Sequence, residues 1–127
     1  MYAIKVIKLN KTTKASHQLL QNEIKILQGL NHTNIIKFHN VYYTENNCYI
    51  ITDYCEGGTL QDKIDKNAHL NWEQLVKQLV AGCNYLANNL IIHRDIKPAN
   101  VFLQNGQWKI GDFGFARYIS EKDALVK

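Results

Sequence analysis

Charged and polar side chains are concentrated in residues 91–114, between short apolar runs. The group consists of His93, Arg94, Asp95, Lys97, Asn100 and Asp112. Burying a charged group is costly unless an opposite charge or a metal ion meets it. So many charged and polar groups within an apolar segment therefore indicate a site that binds charged ligands.

An Asn-Gly pair at residues 105–106 separates two short strand-like runs, and it is the strongest two-residue hairpin signal that a sequence offers. Counting back along both strands from this turn places Asn100 opposite Gly111, with Asp112 next to it. An amide oxygen and a carboxylate on neighbouring strand ends suit Mg²⁺, a hard cation that also binds phosphates. The alternative is that Asn100 and Asp112 only cap strand ends through hydrogen bonds to the local backbone.

The first half of the chain predicts a small sheet packed against one helix. Residues 2–9 are rich in β-branched and apolar types and predict a strand. Leucines at helical spacing in residues 14–30 predict an amphipathic helix. Two further strands, residues 35–43 and 48–54, are predicted on either side of a polar turn at residues 45–47.

The Gly57-Gly58 pair marks a change in composition, from strand-rich sequence before it to helix-rich sequence after it. A short helical stretch follows the pair. Asn71, with Gln74 three residues later, then predicts the cap of a longer helix that extends to Leu90. We therefore expect an α+β fold whose two halves enclose a cleft.

The composition is that of an ordinary globular protein, and it restricts the class of partner. The chain has 127 residues, 46% of them hydrophobic, which is enough for one core. No apolar run is long enough to span a bilayer, and the net charge of +4 is spread along the chain, so neither a membrane segment nor a nucleic acid partner is expected. The three cysteines are odd in number and widely spaced, which argues against a disulfide framework or a zinc site. A cytoplasmic or nuclear protein is expected.

The motif HRDIKPAN, followed by DFG, resembles the catalytic loop and the metal-binding motif of protein kinases. The resemblance implies a partial, bilobal kinase-like fold and transfer of a phosphoryl group from Mg-ATP to a protein hydroxyl. It implies that Asp95 orients the hydroxyl and accepts its proton, with Lys97 near the transferred group. Asn100 and Asp112 would hold the magnesium ions. Lys97 also resembles the serine/threonine branch of the family rather than the tyrosine branch.

The motif YAIK resembles the kinase strand whose lysine contacts the ATP phosphates and pairs with a helix glutamate. Glu23 lies inside the apolar stripe of the predicted helix, where burial would be costly without a cation. We therefore expect Lys5 to pair with Glu23. The alternative is that Glu23 lies at the solvated edge of the stripe and that both residues are surface charges.

The segment IITDYCEGG resembles the hinge between the two kinase lobes. The resemblance implies that backbone groups of Asp53 and Cys55 hydrogen-bond adenine, that Thr52 guards the pocket behind it, and that Ala3 and Phe102 enclose the ring. It also implies a packed column formed by Leu27, Phe38, His93 and Phe113. An ordinary strand that runs into a glycine turn is the alternative for the hinge.

Arg94 resembles the arginine that, in many kinases, binds a phosphate on the activation loop through charge-assisted hydrogen bonds. This resemblance implies regulation by phosphorylation. Phe115, just after DFG, favours serine as the acceptor by analogy. KPANVF is similar to the NIMA-related mitotic kinases and DFGFAR to the unc-51-like kinases, so no subfamily follows from the motifs.

The resemblance covers nearly the whole chain but only about half of the family's domain. Residues 1–54 would form a small lobe that lacks the glycine-rich loop, and residues 55–127 would begin a large lobe and end in the activation segment. The expectation is a truncated chain of an active serine/threonine kinase. The alternatives are a non-catalytic fragment that binds nucleotide or protein, and an unrelated α+β domain in which the motifs are accidental.

Overall fold

The computed structural model describes residues 1–11 and 13–119. Its largest sheet has three antiparallel strands: β1 (Tyr2–Lys8), β2 (Phe38–Tyr43) and β3 (Asn47–Asp53). The order is β1-β3-β2, so β3 is central. Val, Ile, Tyr and Phe dominate these segments because such side chains pack well on a pleated surface.

Helix α1 (Lys14–Gly29) begins at Thr13, whose side chain accepts a hydrogen bond from the Ser16 backbone N–H. This bond satisfies one of the free amides at the helix start. The helix buries Leu20, Ile24, Ile26 and Leu27, which join Cys48 and Ile50 of β3 in one apolar cluster. The predicted amphipathic helix is therefore confirmed, and it presents its apolar stripe to the sheet.

Two further helices follow the glycine pair, as predicted. Helix α2 (Leu60–Asp65) has a capping box between Thr59 and Asp62. Helix α3 (Trp72–Asn88) begins after Asn71, whose side chain accepts a hydrogen bond from the Gln74 backbone N–H. The predicted cap of the long helix is confirmed.

Strands β5 (Val101–Gln104) and β6 (Gln107–Ile110) form the predicted hairpin. Asn105 and Gly106 both have positive φ, which the tight two-residue turn requires. Gln104 lies opposite Gln107. The predicted register is confirmed, since the next step back along both strands brings residues 100 and 111 together through a backbone hydrogen bond.

The structure differs from the sequence prediction at several short elements. Strands β4 (Ile91–Ile92) and β7 (Arg117–Tyr118) pair with each other, and neither was predicted because two residues show no periodicity. The predicted strand at residues 35–43 is wrong at its start, since β2 begins at Phe38. Ile35 instead forms a parallel bridge to Ile110 of β6. Leu9 lies in a 3-10 turn after β1 rather than in the strand.

One apolar core connects the sheet, α1 and the hairpin. Its most buried side chains include Ile26 of α1, Ile50 of β3, Ile110 of β6 and Phe113. All four belong to one cluster, which also contains Leu86 of α3. The elements that carry the predicted site residues therefore pack on a common core. Within the described residues, no helix is both long enough and apolar enough to cross a membrane.

Candidate active site

Lys5 and Glu23 are brought together by β1 and α1. The Lys5 Nζ atom lies 3.1 Å from Glu23 Oε1, and the Glu23 side chain is only 8% exposed. The same Nζ atom lies 3.9 Å from Asp112 Oδ1. A lysine that is half exposed between two carboxylates compensates the buried charge of Glu23 and still faces the cleft.

Asp95 and Asn100 are joined within the loop that follows β4. The Asn100 Nδ2 atom donates to the Asp95 backbone oxygen and to Asp95 Oδ2, each at 2.9 Å. Lys97 Nζ lies 3.6 Å from the other carboxylate oxygen, Oδ1. Because the Asn100 amide nitrogen is directed at Asp95, its amide oxygen points the other way and remains able to bind a cation.

His93 connects this loop to the end of β6. Its Nδ1 atom accepts a hydrogen bond from the Asp95 backbone N–H at 3.1 Å, so its Nε2–H donates to the Gly111 carbonyl at 2.7 Å. The ring is buried and contacts Phe113 edge-to-face, with 4.9 Å between centroids. His93 is therefore a packed residue that holds Asp95 close to Asp112, not a group exposed to the cleft.

Asp112 has a left-handed backbone conformation, with φ of 54°. Its Oδ1 atom accepts a hydrogen bond from the Gly114 backbone N–H at 3.3 Å. Glycine at the preceding position leaves room for the Phe102 ring, because a Cβ on Gly111 would lie 2.7 Å from that ring. Strained backbone of this kind is concentrated at functional sites.

A cavity of about 420 Å³ lies between the sheet and the hairpin. All seven residues predicted to bind ATP line it: Ala3, Lys5, Glu23, Thr52, Asp53, Cys55 and Phe102. Asp112 and Phe113 also line it, whereas Asp95, Lys97 and Asn100 do not. Apolar side chains form most of the wall, and the charged groups Lys5, Glu23 and Asp112 are grouped at one end, which suits an apolar ring with a charged substituent.

Cys55 and Asp53 of the predicted hinge have shifted pKa values. Burial raises the pKa of the Cys55 thiol to about 11, against the opposing charge of Lys109. Burial also acts to raise the pKa of Asp53, but the hydrogen bonds from His39 and Gln104 and the charges of His39 and Lys109 together hold that pKa below its usual range. Cys55 is therefore a neutral thiol at the cavity wall, and Asp53 is a carboxylate.

Several residues at or near the cleft were not identified from the sequence as part of the site. His39 of β2 pairs with the Asp53 side chain and contacts the ring of Tyr2. Ile36, Tyr54, Gly58 and Thr59 line the cavity. Tyr54 and Gly58 lie in the predicted hinge segment but were assigned no role there. Only the pairing of β2 with β3, which places Phe38 opposite Thr52, could have located His39 near the hinge.

The predicted regulatory residue, Arg94, also has a left-handed backbone, with φ of 68°. Its Nε atom donates to the Phe115 carbonyl at 2.7 Å. Arg94 therefore contacts the segment that follows Asp112. The predicted column is packed in the same region: Leu27, His93 and Phe113 are buried, and Phe38 packs against the core.

The donor set at Asn100 and Asp112 fits Mg²⁺, because both side chains offer hard oxygen ligands. Among the described residues, no three His, Cys, Asp or Glu side chains form a group that could hold a metal ion by themselves. Magnesium is commonly bound by one or two carboxylates together with substrate phosphates. The residues present therefore fit a magnesium ion that arrives with a phosphorylated ligand.

Comparisons with known proteins identify relatives over the whole chain. The sequence profile of the protein kinase domain matches residues 1–127. The chain is 35% identical to the MAP kinase kinase kinase wis4 of Schizosaccharomyces pombe over 94% of this chain and 9% of the relative. It is 40% identical to cell division control protein 7 of the same yeast (93% and 12%), and 37% identical to the serine/threonine-protein kinase atg1 of Dictyostelium discoideum (93% and 20%). The chain thus spans a fifth or less of the length of these relatives.

Proposed function

Because this chain belongs to the protein kinase domain family, we propose that it supplies the nucleotide cleft and catalytic loop of an ATP-dependent protein serine/threonine kinase. The observation that carries the proposal is the position of Lys5 Nζ, between Glu23 and Asp112 at the charged end of an apolar cavity. An ammonium group held in this way can bind phosphate oxygens.

The cavity suits the nucleoside of ATP. Adenine would lie between Ala3 and Phe102, with backbone groups of Asp53 and Cys55 as its hydrogen-bond partners and Thr52 behind it. The Asp53 backbone N–H already donates to the Lys37 carbonyl at 2.9 Å, so the Asp53 carbonyl is the group to consider for adenine. The raised pKa of the Cys55 thiol keeps this group uncharged where the aromatic base would lie.

The phosphates would extend towards Lys5, Asn100 and Asp112. Glu23 holds the Lys5 ammonium in place, and Asn100 and Asp112 would hold Mg²⁺ through their oxygens. When bound there, magnesium would supply positive charge next to the phosphates. The carboxylate of Asp112 is directed towards the cleft by its bond to the Gly114 amide.

The catalytic loop would act on the acceptor. Asp95 would orient a serine or threonine hydroxyl of a protein substrate and accept its proton as the hydroxyl oxygen bonds to the γ-phosphorus and the bond to the β-phosphate oxygen breaks. Lys97, 3.6 Å from Asp95 Oδ1, would contact the transferred phosphoryl group. Arg94 would bind a phosphate introduced by phosphorylation of the following segment, which it already contacts at Phe115.

The proposal extends to the setting of the protein. We propose that the boundary between a small and a large lobe lies after residue 54, near the end of β3. We also propose that the protein acts in the cytoplasm or the nucleus. The substrate would be a protein with a serine or threonine acceptor.

The test is phosphoryl transfer by the full-length protein to a mixture of serine- and threonine-containing peptides, with and without Mg²⁺. Lys5→Met and Asp95→Asn should each abolish transfer, and Asp95→Asn should retain ATP binding. Lys8→Met is the matched control, since Lys8 is an exposed lysine of the same strand. Equal transfer by wild type and both site variants would overturn the proposal. Magnesium-dependent ATP binding without transfer by the wild type would instead indicate a nucleotide-binding module.

A further inference from the structure

A second cavity, of about 460 Å³, shares only Asp53 with the cavity proposed for the nucleotide. Its polar wall is formed by Asn31, His32, Thr33, Lys37, Asp53 and Lys109. We refer to it as the Lys109 cavity. Its volume falls within the range of small-molecule binding sites, so it can hold a ligand of its own, apart from the nucleotide.

The side chain of Lys109 is fixed at the wall of this cavity. Its Nζ atom donates to the Thr33 carbonyl at 2.7 Å. Trp108 and Ile110, its neighbours in β6, are buried, so the alternation of the strand directs Lys109 to the opposite face. An ammonium group has several N–H donors, and donors therefore remain for a ligand. Because the group is already held in place, binding an anion requires little further ordering of this side chain.

Positive charge exceeds negative charge at the polar wall. Lys37 and Lys109 are the lysines of the cavity, and Asp53 is the acidic residue among its described lining residues. In the part of the chain that the structure describes, neither lysine forms an ion pair. The Asp53 carboxylate is hydrogen-bonded instead to His39 and Gln104. The two lysines thus lack a counterion, which a bound anion would supply.

Neutral donors complete the polar wall. The His32 Nδ1 atom accepts a hydrogen bond from the Asn34 backbone N–H at 3.0 Å, so the proton of the neutral ring is on Nε2. The ring packs on Tyr85 of α3, which holds its orientation. Thr33 adds a hydroxyl and Asn31 an amide NH₂ group. Cationic and neutral donors that surround one cavity are the combination that binds the oxygens of a phosphate.

The remaining wall is apolar and is formed by Leu30, Ile35 and Phe38. A phosphate alone would leave this part of the cavity to water, whereas an apolar substituent would cover it. A phosphomonoester carries a charge of about −1.5 to −2 at pH 7, which matches two lysines. We propose that the Lys109 cavity binds a small phosphomonoester, with its phosphate at the two lysines and an apolar or aromatic group against Phe38. The proposal does not rest on the kinase function.

The first experiment is a calorimetric titration of the full-length protein with phenyl phosphate. Saturable binding with a dissociation constant in the millimolar range or below is expected. Inorganic phosphate should bind at least about threefold more weakly, because it leaves the apolar wall uncovered. Lack of saturation up to about 20 mM phenyl phosphate would overturn the proposal. Equal affinities for the two anions would overturn the assignment of a phosphomonoester.

The second experiment repeats the titration with lysine variants. Lys109→Met keeps the aliphatic stem and removes the ammonium group, so the affinity for phenyl phosphate should fall at least about tenfold. Lys37→Met should lower it at least about threefold, and it covers the case in which Lys109→Met does not fold, since Lys37 is exposed. Lys77→Met is the matched control, because Lys77 is an exposed lysine of α3 outside the cavity. Wild-type affinity in either folded cavity variant would contradict the site.

The nucleotide cavity is the competing site for a phosphate, through Lys5. Lys5→Met should leave the affinity for phenyl phosphate within about twofold, because Lys5 does not line the Lys109 cavity. A loss in Lys5→Met that equals or exceeds the loss in Lys109→Met would place the phosphate in the nucleotide cavity and overturn the proposal. No step of this test measures phosphoryl transfer, so failure of the proposed function and failure of the Lys109 site are distinguished.

Discussion

The Asn100 side-chain nitrogen lies 2.9 Å from both the carbonyl and the carboxylate oxygen of Asp95. One amide group therefore sets the direction of the carboxylate and, at the same time, the direction of its own oxygen. The proposed proton acceptor and one proposed magnesium ligand are thus oriented by a single contact, and substitution at Asn100 should affect both.

Asn100→Asp should lower the rate of phosphoryl transfer at least about tenfold. The change replaces the Nδ2 donor with a carboxylate oxygen next to the Asp95 carboxylate, and like charges at this distance repel. Initial rates at saturating Mg-ATP measure the effect. Asn22→Asp, on the exposed face of α1, is the matched control and should keep the wild-type rate. A normal rate in Asn100→Asp would show that the contact does not direct Asp95.

Gly111→Ala should raise KM for ATP more than it lowers kcat. The new Cβ would lie 2.7 Å from the Phe102 ring, so the ring must move into the cavity that it lines. Steady-state kinetics with varied ATP provide the measurement. Gly29→Ala serves as the control, since no atom lies within 4 Å of a Cβ built there. An unchanged KM would exclude Phe102 from the nucleotide site.

Asp53→Asn should reduce stability near pH 6 by about 1 kcal/mol, the upper range for a partly exposed ion pair. The pKa of Asp53 is lowered in the folded state, because His39, Gln104 and Lys109 together outweigh the effect of burial. Its contribution is therefore complete above the unfolded pKa of about 3.9 and is lost as the pH falls through the folded value. Urea unfolding at several pH values should show the wild-type advantage disappearing below about pH 4. A constant difference down to pH 2.5 would contradict the assignment.

Cys55 should react slowly with iodoacetamide at pH 8 in the folded protein. Burial raises the pKa of its thiol to about 11, so the thiolate fraction is about 100-fold lower than for a thiol of pKa 9. Mass spectrometry of the labelled protein, native and in urea, measures the rates, and ATP should slow native labelling further because Cys55 lines the cavity. Native labelling as fast as in urea would contradict both the pKa and the burial.

Features that depend on neighbouring residues were predictable from the sequence. The cap at Asn71 and the register of the hairpin at Asn105 and Gly106 are set by a few adjacent side chains. The motifs likewise located the seven residues predicted to bind ATP, all of which line the cavity, since the family resemblance assigned them individually.

Features that depend on tertiary contacts were not predictable. Ile35 has the apolar, β-branched character of a strand residue, but its partner is Ile110, far along the chain. The pairing of His39 with Asp53 exists only because β2 lies beside β3. Neither contact leaves a periodic signal, so local reasoning extended β2 too far and missed the connection to β6.

The order of the strands in the first sheet has a consequence for synthesis on the ribosome. Among the described strands, β1 pairs with β3 alone, and Lys5 lies close to Asp112, which is made near the end of the described residues. At roughly 5–20 residues per second, β1 emerges several seconds before Asp112. Until β3 has been translated, Tyr2, Ile4 and Val6 lack the β3 partners that they have in the fold. The nascent chain should therefore be most prone to chaperone binding and aggregation before β3 emerges, and the cleft can close only when nearly all of this segment has been translated.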